Sequence, residues 1–201
     1  MPYSFKLPIV TDLTIDQRYV LENVNSVAIK GGPGTGKSVV SLWRHIRNHS
    51  IGIKKSLLLT YTKSLELYLA SSAKSENELA SKYVNRTLWW TTHDKGSIIY
   101  DEIIIDEAQD IEAHTAEIIK NKTKQVSFGA DDIQGLYQGR LKYNELKNIY
   151  NPSDEYTLRK NYRNSMPITR FIASLLPDLI FLLRYSFLND VLLDCMTNYL
   201  S

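Results

Sequence analysis

The chain has 201 residues, of which 43% are hydrophobic and 23% charged, and its formal net charge is +2. This composition is typical of a globular protein of one domain with a sizeable core. The small net charge excludes a surface that is basic throughout, so any nucleic-acid interface must be local. One cysteine, Cys195, excludes an internal disulfide framework and fits a reducing compartment. No signal peptide is recognisable, and charges interrupt the apolar C-terminal stretch, so we predict a cytoplasmic protein without a membrane span.

Apolar runs alternate with helical patterns along the chain. This order predicts an α/β fold in which a central parallel sheet carries helices on both faces. The predicted strands are 24–29, 55–61, 87–91, 102–105, 125–128 and 155–158. The predicted helices are 39–46, 64–71, 111–120 and 167–175, and a helix is also expected to begin near Thr14.

A glycine-rich segment, GGPGTGKS at 31–38, fits the phosphate-binding pattern G-x-x-x-x-G-K-[ST]. Its glycines allow the backbone to turn several N–H groups toward one point, where they bind phosphate oxygens. Lys37 would reach the β- and γ-phosphates, and the Ser38 hydroxyl would ligate Mg²⁺. A glycine-rich turn could match the same letters, but the motif lies between a predicted strand and a predicted helix, as a phosphate loop requires. The predicted nucleotide-binding residues here are Gly31, Gly32, Pro33, Gly34, Thr35, Gly36, Lys37 and Ser38.

An acidic cluster follows the predicted strand 102–105 in the sequence IIIDEAQD. In a parallel sheet, carboxylates at this position lie at the same edge as the phosphate loop. Asp106 would hold Mg²⁺ through its water shell, and Glu107 would deprotonate the attacking water as a general base. The alternative is an acidic helix start, where Asp and Glu are favoured by the helix dipole.

Together, these two motifs resemble motifs I and II of superfamily 1 DNA helicases of the UvrD/Rep type. Four more stretches and an adenine-reading Q-motif occur in the family order and extend the resemblance over about 10–175. They are LTIDQ at 13–17 with Val20 (Q-motif), LLLTYTKS at 57–64 (motif Ia), TTH at 91–93 (motif Ib), ADDIQGLY at 130–137 (motif III, with Ala130 in place of glycine) and LRKNYR at 158–163 (motif IV). The resemblance implies a RecA-like ATP-binding domain over residues 1–175, followed by an unassigned helical tail at 176–201.

The resemblance also assigns roles around the nucleotide. Gln17 would read the adenine edge, although Thr14 and Gln17 are also spaced as a helix capping box. Gln134 would sense the γ-phosphate or the attacking water, or else is a polar loop residue. Arg163 would neutralise charge on the γ-phosphate, and Tyr162 would stack on adenine unless it is simply packed. ATP and Mg²⁺ are the implied cofactors.

A single-stranded DNA surface is the third implication of the resemblance. Binding of this kind combines stacking aromatic side chains with a few cations along a groove. The positions that match the family's DNA contacts are Tyr61, Lys63, Thr92, His93, Tyr137 and Arg140. On a strand, successive side chains alternate, so only one of Trp89 and Trp90 would face the core. The alternative is that these aromatic residues only pack.

Two departures from the family qualify its functional implications. Relatives carry an insertion between motifs Ib and II, whereas here His93 and Asp106 are close in sequence. They also carry a second RecA-like domain with another arginine, for which residues 164–201 are too few. The expectation is therefore an ATPase that is weak in isolation and unable to unwind DNA alone. The alternatives are a non-catalytic interaction module, or a subunit whose second motor domain is a separate protein; residues 178–201 would be a helical cap or the result of an early stop.

Overall fold

The computed structural model describes residues 7–93, 98–131 and 139–162, together with Ser174. Its strands are β1 (Val27–Gly31), β2 (Ser56–Thr60), β3 (Val84–Arg86), β4 (Glu102–Ile105), β5 (Val126–Ala130) and β6 (Asp154–Leu158). Its helices are α1 (Ile15–Glu22), α2 (Lys37–Ser50), α3 (Lys63–Glu76), α4 (Glu78–Ser81), α5 (Thr87–His93), α6 (Ala113–Lys120) and α7 (Tyr143–Tyr150). Two short 3₁₀ turns lie at Val10–Asp12 and Ala108–Asp110.

All six described strands are parallel and form one sheet in the order β3-β2-β4-β5-β1-β6. The chain passes from β1 to β2 and then to β3 at one side of the sheet, returns through β4 and β5, and ends with β6 on the other side of β1. Because all six strands are parallel, the carboxyl ends of β1, β4 and β5 lie at the same edge. In parallel α/β sheets, ligands bind at the carboxyl ends of the strands, where the order of connection reverses. This topology places the glycine-rich segment after β1 beside the acidic residues that follow β4.

Helices cover both faces of the sheet. On one face α5, α6 and α7 pack through residues such as Trp90, Ile119 and Leu146 against the side chains of β4 and β5. On the other, α2, α3 and α4 pack against Leu58 and Ile104, and α1 joins α2 over β1. Neighbouring strand residues alternate between the two cores, because side chains along a strand point to opposite faces. Both faces of the central strands are therefore buried, as their continuous apolar runs predicted.

A buried ionic cluster fixes the amino-terminal end of β4. Arg44 of α2 donates from Nε to Glu102 Oε1 at 2.8 Å, and both side chains are fully buried. Asn48 Nδ2 and Ser127 Oγ also donate to the Glu102 carboxylate, at 2.7 and 2.5 Å. The rest of the Arg44 guanidinium bonds backbone carbonyls at the end of α1 and beyond it, at Val20, Asn23 and Asn25. The cluster thus ties α1 and α2 to the strand that leads to Asp106.

Most of the predicted architecture is confirmed, including the parallel sheet with helices on both faces. Five of the six predicted strands are present within about two or three residues, the usual precision of sequence boundaries. The prediction for 87–91 is wrong: TLWWT lies in helix α5, and the strand β3 is immediately before it. Helices α4 and α7 were not predicted. The predicted helix 167–175 and the tail 176–201 lie outside the described residues, apart from Ser174.

The wrong strand has a clear physical cause. Threonine and tryptophan favour strands, but this preference depends on context. In α5, Thr87 and Trp90 are buried while Leu88 and Trp89 are exposed, a three-residue spacing that suits a helix. The hydroxyl of Thr91 also donates to the carbonyl of Thr87 one turn earlier, at 3.0 Å. Both tryptophans therefore lie on a helix, and the expected alternation along a strand does not apply.

Among the residues that the structure describes, none belongs to a helix with the length and apolar character needed to cross a bilayer.

Candidate nucleotide-binding site

The glycine-rich loop connects β1 to α2, and its carbonyl oxygens are held by the protein around it. Gln17 Nε2 donates to Thr35 O at 3.1 Å, and Asn161 Nδ2 donates to Pro33 O at 3.0 Å. The backbone N–H of Tyr162 donates to Gly34 O at 2.8 Å. Inside the loop, the Thr35 hydroxyl donates to Gly32 O at 2.9 Å. The loop is therefore held from three sides, by α1, by the segment after β6 and by itself.

The way these carbonyls are held determines which way the N–H groups of the loop point. In a trans peptide the N–H points away from the preceding C=O. Because the carbonyls of Pro33, Gly34 and Thr35 face donors outside the loop, the N–H groups that follow them point to the opposite, inner side, as in anion-binding nests. Gly34 and Gly36 have φ of 73° and 89°, values that side-chain-bearing residues rarely adopt. A Cβ on Gly36 would also lie 2.5 Å from Gln17 Nε2, so glycine is required there.

Lys37, the first residue of α2, lies beneath this loop. Its Nζ donates to Gly31 O at 2.7 Å and to Gly32 O at 3.1 Å, and it lies 4.0 Å from an Asp131 carboxylate oxygen. The side chain is only 5% exposed. A buried ammonium is costly unless its donors are used, and here it has two carbonyls and a carboxylate nearby. Its position places a fixed positive charge at the loop, which is the chemistry that binds phosphate.

Asp106 follows β4 and lies at the same edge of the sheet. Its carboxyl is 1% exposed, and neither oxygen has a hydrogen bond of regular geometry. Burial, together with the nearby charge of Glu107, raises the pKa of the Asp106 carboxyl to about 7. The neighbouring Ser38 hydroxyl and the Lys37 ammonium oppose this rise. A buried carboxylate without partners is unfavourable by itself and is well suited to a cation.

The Glu107 backbone is in the left-handed region, with φ 56° and ψ 48°, which is uncommon for a residue with a side chain. This conformation ends β4 and turns the chain into the 3₁₀ turn Ala108–Asp110. Within that turn, Gln109 Nε2 donates to Glu107 Oε2 at 2.6 Å. Gln109 Oε1 accepts from the backbone N–H of Asp131, the residue after β5, at 3.1 Å. A strained backbone and a bridging amide therefore fix the carboxylate that was predicted to be the general base.

The two predicted adenine contacts occupy different environments. Gln17 is buried, and the predicted capping box is present: Thr14 N donates to Gln17 Oε1 at 3.0 Å. Both ends of its amide are thus in use, one for the helix cap and one for Thr35 O, so the structure presents it as a support of the loop. Tyr162 is 49% exposed next to the loop, with Lys160 Nζ 5.5 Å from its ring centre. Its ring is available for stacking.

The residues predicted to contact nucleic acid fall into two groups, one just after the carboxyl end of β2 and one at the end of α5. Tyr61 follows β2 and lines a cleft together with Thr87, Leu88, Ile111 and Arg140. Arg140 is paired with Glu112 at 2.5 Å across this cleft. Lys63 begins α3 and is exposed.

The second group lies at the end of α5, where Thr92 and His93 are exposed. The His93 ring stacks on Trp89, with ring centres 4.9 Å apart and planes 9° apart. Trp89 and His93 therefore form exposed aromatic surface on α5, whereas neither Thr92 nor His93 lines the cleft at Tyr61. Gln134, Tyr137 and Arg163 lie outside the described residues.

Three residues of the site were missed in the sequence: Gln109, Asp131 and Asn161. Gln109 lies within DEAQD, Asp131 lies within ADDIQGLY, and Asn161 precedes Tyr162. All three therefore belong to the motifs that the sequence had already indicated. Their roles depend on hydrogen bonds between distant segments, which a sequence does not display. No cluster of three or more His, Cys, Asp or Glu side chains suited to a metal occurs among the residues described. Ser38 and Asp106 would thus hold Mg²⁺ only together with phosphate oxygens or water.

Comparison with known proteins gives a fold. No protein-family model matches the chain, and no curated protein matches it. The Pif1 helicase of Candida albicans superposes with a TM-score of 0.52 at 17% identity, over 82% of this chain and 43% of that one. The helicase domain of Hef from Pyrococcus furiosus superposes with a TM-score of 0.53 at 14% identity, over 84% of this chain and 46% of that one. A Bacteroides Pif1 bound to single-stranded DNA superposes with a TM-score of 0.51 at 15% identity, over 81% of this chain and 45% of that one.

The chain thus spans less than half the length of these solved helicases. At such low identity the likeness establishes the fold alone, and the specific resemblance to UvrD and Rep remains a prediction. The six-stranded parallel sheet, with its phosphate-loop connection between β1 and α2, has the P-loop NTPase fold of helicase motor domains.

Proposed function

We propose that this chain is an ATP- and Mg²⁺-binding NTPase unit of the helicase motor type, related to the first RecA-like domain of UvrD-like enzymes. The observation that carries the proposal is the loop between β1 and α2. Its carbonyls at Thr35, Pro33 and Gly34 are bound by Gln17, Asn161 and Tyr162, which leaves N–H groups of the loop for an anion. The Lys37 ammonium lies at the same loop, against the carbonyls of Gly31 and Gly32, and adds a positive charge. The start of α2 adds the positive end of a helix dipole. A di- or triphosphate is the ligand this chemistry fits.

The residues for Mg²⁺ also fit. Asp106 presents a buried carboxylate whose oxygens form no hydrogen bond of regular geometry, and the Ser38 hydroxyl lies beside it. Hard oxygen ligands of this kind, few in number and completed by phosphate and water, are what Mg²⁺ takes in NTPases. When bound there, Mg²⁺ would neutralise charge on the phosphates.

Hydrolysis would depend on Glu107 as the general base, held with one carboxylate oxygen bonded to Gln109 and the other available for a water proton. Gln134 and Arg163 are proposed as the γ-phosphate sensor and the neutralising arginine, from their motif positions alone. We expect slow turnover for the 201-residue chain, because helicase ATP sites of this type are completed by an arginine from a second domain, and such an arginine contributes about 10³–10⁵-fold in rate.

Single-stranded DNA is the proposed polymer partner. The support is the exposed aromatic surface of Trp89 and His93 on α5, together with the half-buried Tyr61 and the exposed Lys63 just after β2. Binding through stacking on a nearly neutral protein would be weak and sensitive to salt. Unwinding would require a second motor domain, in the same protein or in a partner, since translocation needs two domains that grip the strand in turn.

The first test is ATP binding measured by isothermal titration calorimetry in the presence of Mg²⁺. Lys37→Ala removes a charge-assisted contact worth about 1.5–3 kcal/mol, which lowers the affinity by more than about tenfold. The matched control is Lys82→Ala, which removes an exposed lysine from the opposite part of the molecule. Thermal unfolding of each variant verifies that the fold is retained. Equal ATP affinity for the wild type and Lys37→Ala, or no binding by the wild type, would refute the proposal.

A further inference from the structure

Gln109 joins two strand ends across the candidate active site. Its side chain is 3% exposed, and both halves of its amide are used. Nε2 donates to Glu107 Oε2 at 2.6 Å, and Oε1 accepts from the N–H of Asp131 at 3.1 Å. Asp131 in turn has its carboxylate 4.0 Å from the Lys37 ammonium. One glutamine thus connects Glu107, two residues after β4, to Asp131, the residue after β5, beside the lysine of the phosphate loop.

The geometry points to Gln109 as the positioning residue for the general base: it sets the orientation of the Glu107 carboxylate by anchoring it to the end of β5. This inference rests on the proposed function, because it requires Glu107 to act on water. Gln109 is not itself a catalytic residue, because its amide bonds Glu107 and the backbone at Asp131 and so acts through Glu107.

An anchor is needed because the Glu107 side chain starts from a left-handed backbone. That conformation directs the side chain away from the path it would take in a strand or a helix. Among the residues that the structure describes, Gln109 is the side chain that donates a hydrogen bond to its carboxylate. With Oε2 occupied by the amide, Oε1 is the oxygen left to accept a proton. A general base is effective only when it lies within hydrogen-bond distance of the water it activates, so fixing one oxygen places the other.

Side-chain length and chemistry make the bridge specific. Asparagine is one methylene shorter and could not span both bonds. Glutamate keeps the acceptor for the Asp131 N–H but places a second carboxylate against Glu107, so it removes one anchor only. Methionine has a similar length and neither group, and it leaves the buried Asp131 N–H without a partner.

Two measurements test the inference. The first needs no nucleotide: the thermal midpoints of Glu107→Ala, Gln109→Met and the double variant are compared with that of the wild type. If the two side chains are coupled, the losses in midpoint will not add, because either change removes the same bond. Strict additivity would overturn the inference.

The second measurement is ATP turnover of Gln109→Glu under saturating and limiting ATP. We expect kcat to fall by about 10- to 100-fold with KM for ATP unchanged, because the base is displaced while the phosphate loop is intact. The control is Gln125→Met, at the other end of β5, whose side-chain nitrogen has no hydrogen bond; it should retain full activity. If Gln109→Met does not fold, Gln109→Glu still decides, because it keeps the bond to Asp131.

The outcomes separate the two proposals. A wild type that hydrolyses ATP, with Gln109→Glu equally active, overturns the positioning role and leaves the proposed function standing. If Gln109→Glu instead loses ATP affinity and thermal stability together with kcat, Gln109 is a purely structural residue, and this result also overturns the positioning role. A wild type that does not bind ATP refutes the proposed function and the positioning role together.

Discussion

Removing the buried carboxylate of Glu102 should destabilise the protein more than any exposed ion pair can. The substitution Glu102→Ala deletes the acceptor for Arg44, Asn48 and Ser127 and leaves the Arg44 guanidinium buried without its counter-charge. Burial alone would raise the pKa of the Glu102 carboxyl, but the Arg44 charge, the Ser127 hydroxyl and Lys54 hold it below the ordinary value. The group is therefore ionised in the folded state, and its partners depend on that charge.

The magnitude follows from the cost of an unpaired buried ion. Breaking a buried pair by removing one partner costs about 3–5 kcal/mol. For a chain of this size, that corresponds to a fall in thermal midpoint of about 6–20 °C, at about 2–4 °C per kcal/mol. Replacing both charges, as in Arg44→Met with Glu102→Leu, should recover only part of the loss. The Arg44 guanidinium also bonds the carbonyls of Val20 and Asn23, which would then lose their donor.

Urea denaturation at pH 7.5 measures this free energy of unfolding. The matched control is Glu78→Ala, which breaks the exposed pair with Lys82 and should cost about 0–1 kcal/mol. A loss for Glu102→Ala as small as that of the control would refute the reasoning. Full recovery of stability in the double substitution would show that the carbonyl bonds of Arg44 contribute little.

Three further predictions concern hydrolysis, pH and unwinding. Glu107→Gln should abolish residual ATP turnover while ATP affinity by calorimetry stays unchanged; turnover at wild-type rate would exclude Glu107 as the base. His45 is fully buried, its Nε2 bonds Ala80 O at 2.9 Å, and burial lowers its pKa to about 3. In the unfolded chain His45 takes up a proton below its ordinary pKa of about 6.5, whereas in the folded protein it stays neutral down to a much lower pH. The stability that the neutral His45 contributes is therefore complete above about pH 6.5 and is lost as the pH falls, so urea titrations should give a free energy of unfolding about 2 kcal/mol lower at about pH 5 than above about pH 6.5. His45→Gln should reduce this dependence on pH. The 201-residue chain should not displace a DNA strand at low salt with or without ATP; displacement by the chain alone would show that one motor domain suffices, whereas displacement after adding a second protein would indicate a divided motor.

The sequence predicted the fold well because its signals were local. The apolar runs at β2, β4 and β5 are buried on both faces, and such runs are typical of parallel strands. The three-residue strand β3 has no such run and was hidden beside the threonine and tryptophan residues of α5. Helix α7 was missed although its buried residues Tyr143, Leu146 and Tyr150 have the three- and four-residue spacing of an amphipathic helix.

The site was predictable only as far as its motifs. GGPGTGKS and DEAQD identified the loop and both carboxylates, because each motif is a continuous stretch. Gln17 was found, but its predicted role as an adenine reader did not anticipate that its amide bonds Thr35 O. The same limit applies to Gln109 and Asn161, whose partners are brought near by folding. Distances between separate segments are a product of tertiary packing, which no single stretch encodes.

The way the phosphate loop is held has a consequence for synthesis on the ribosome. The loop is translated early, between α1 and α2, yet two of its carbonyls are bound by Asn161 and Tyr162, after the last described strand. Its strand β1 likewise pairs only with β5 and β6, both made much later. A nascent chain that has exposed GGPGTGKS therefore still lacks both the sheet neighbours and the clamps of the loop. The proposed capacity to bind a nucleotide would therefore arise late in translation, once the segment after β6 has left the exit tunnel.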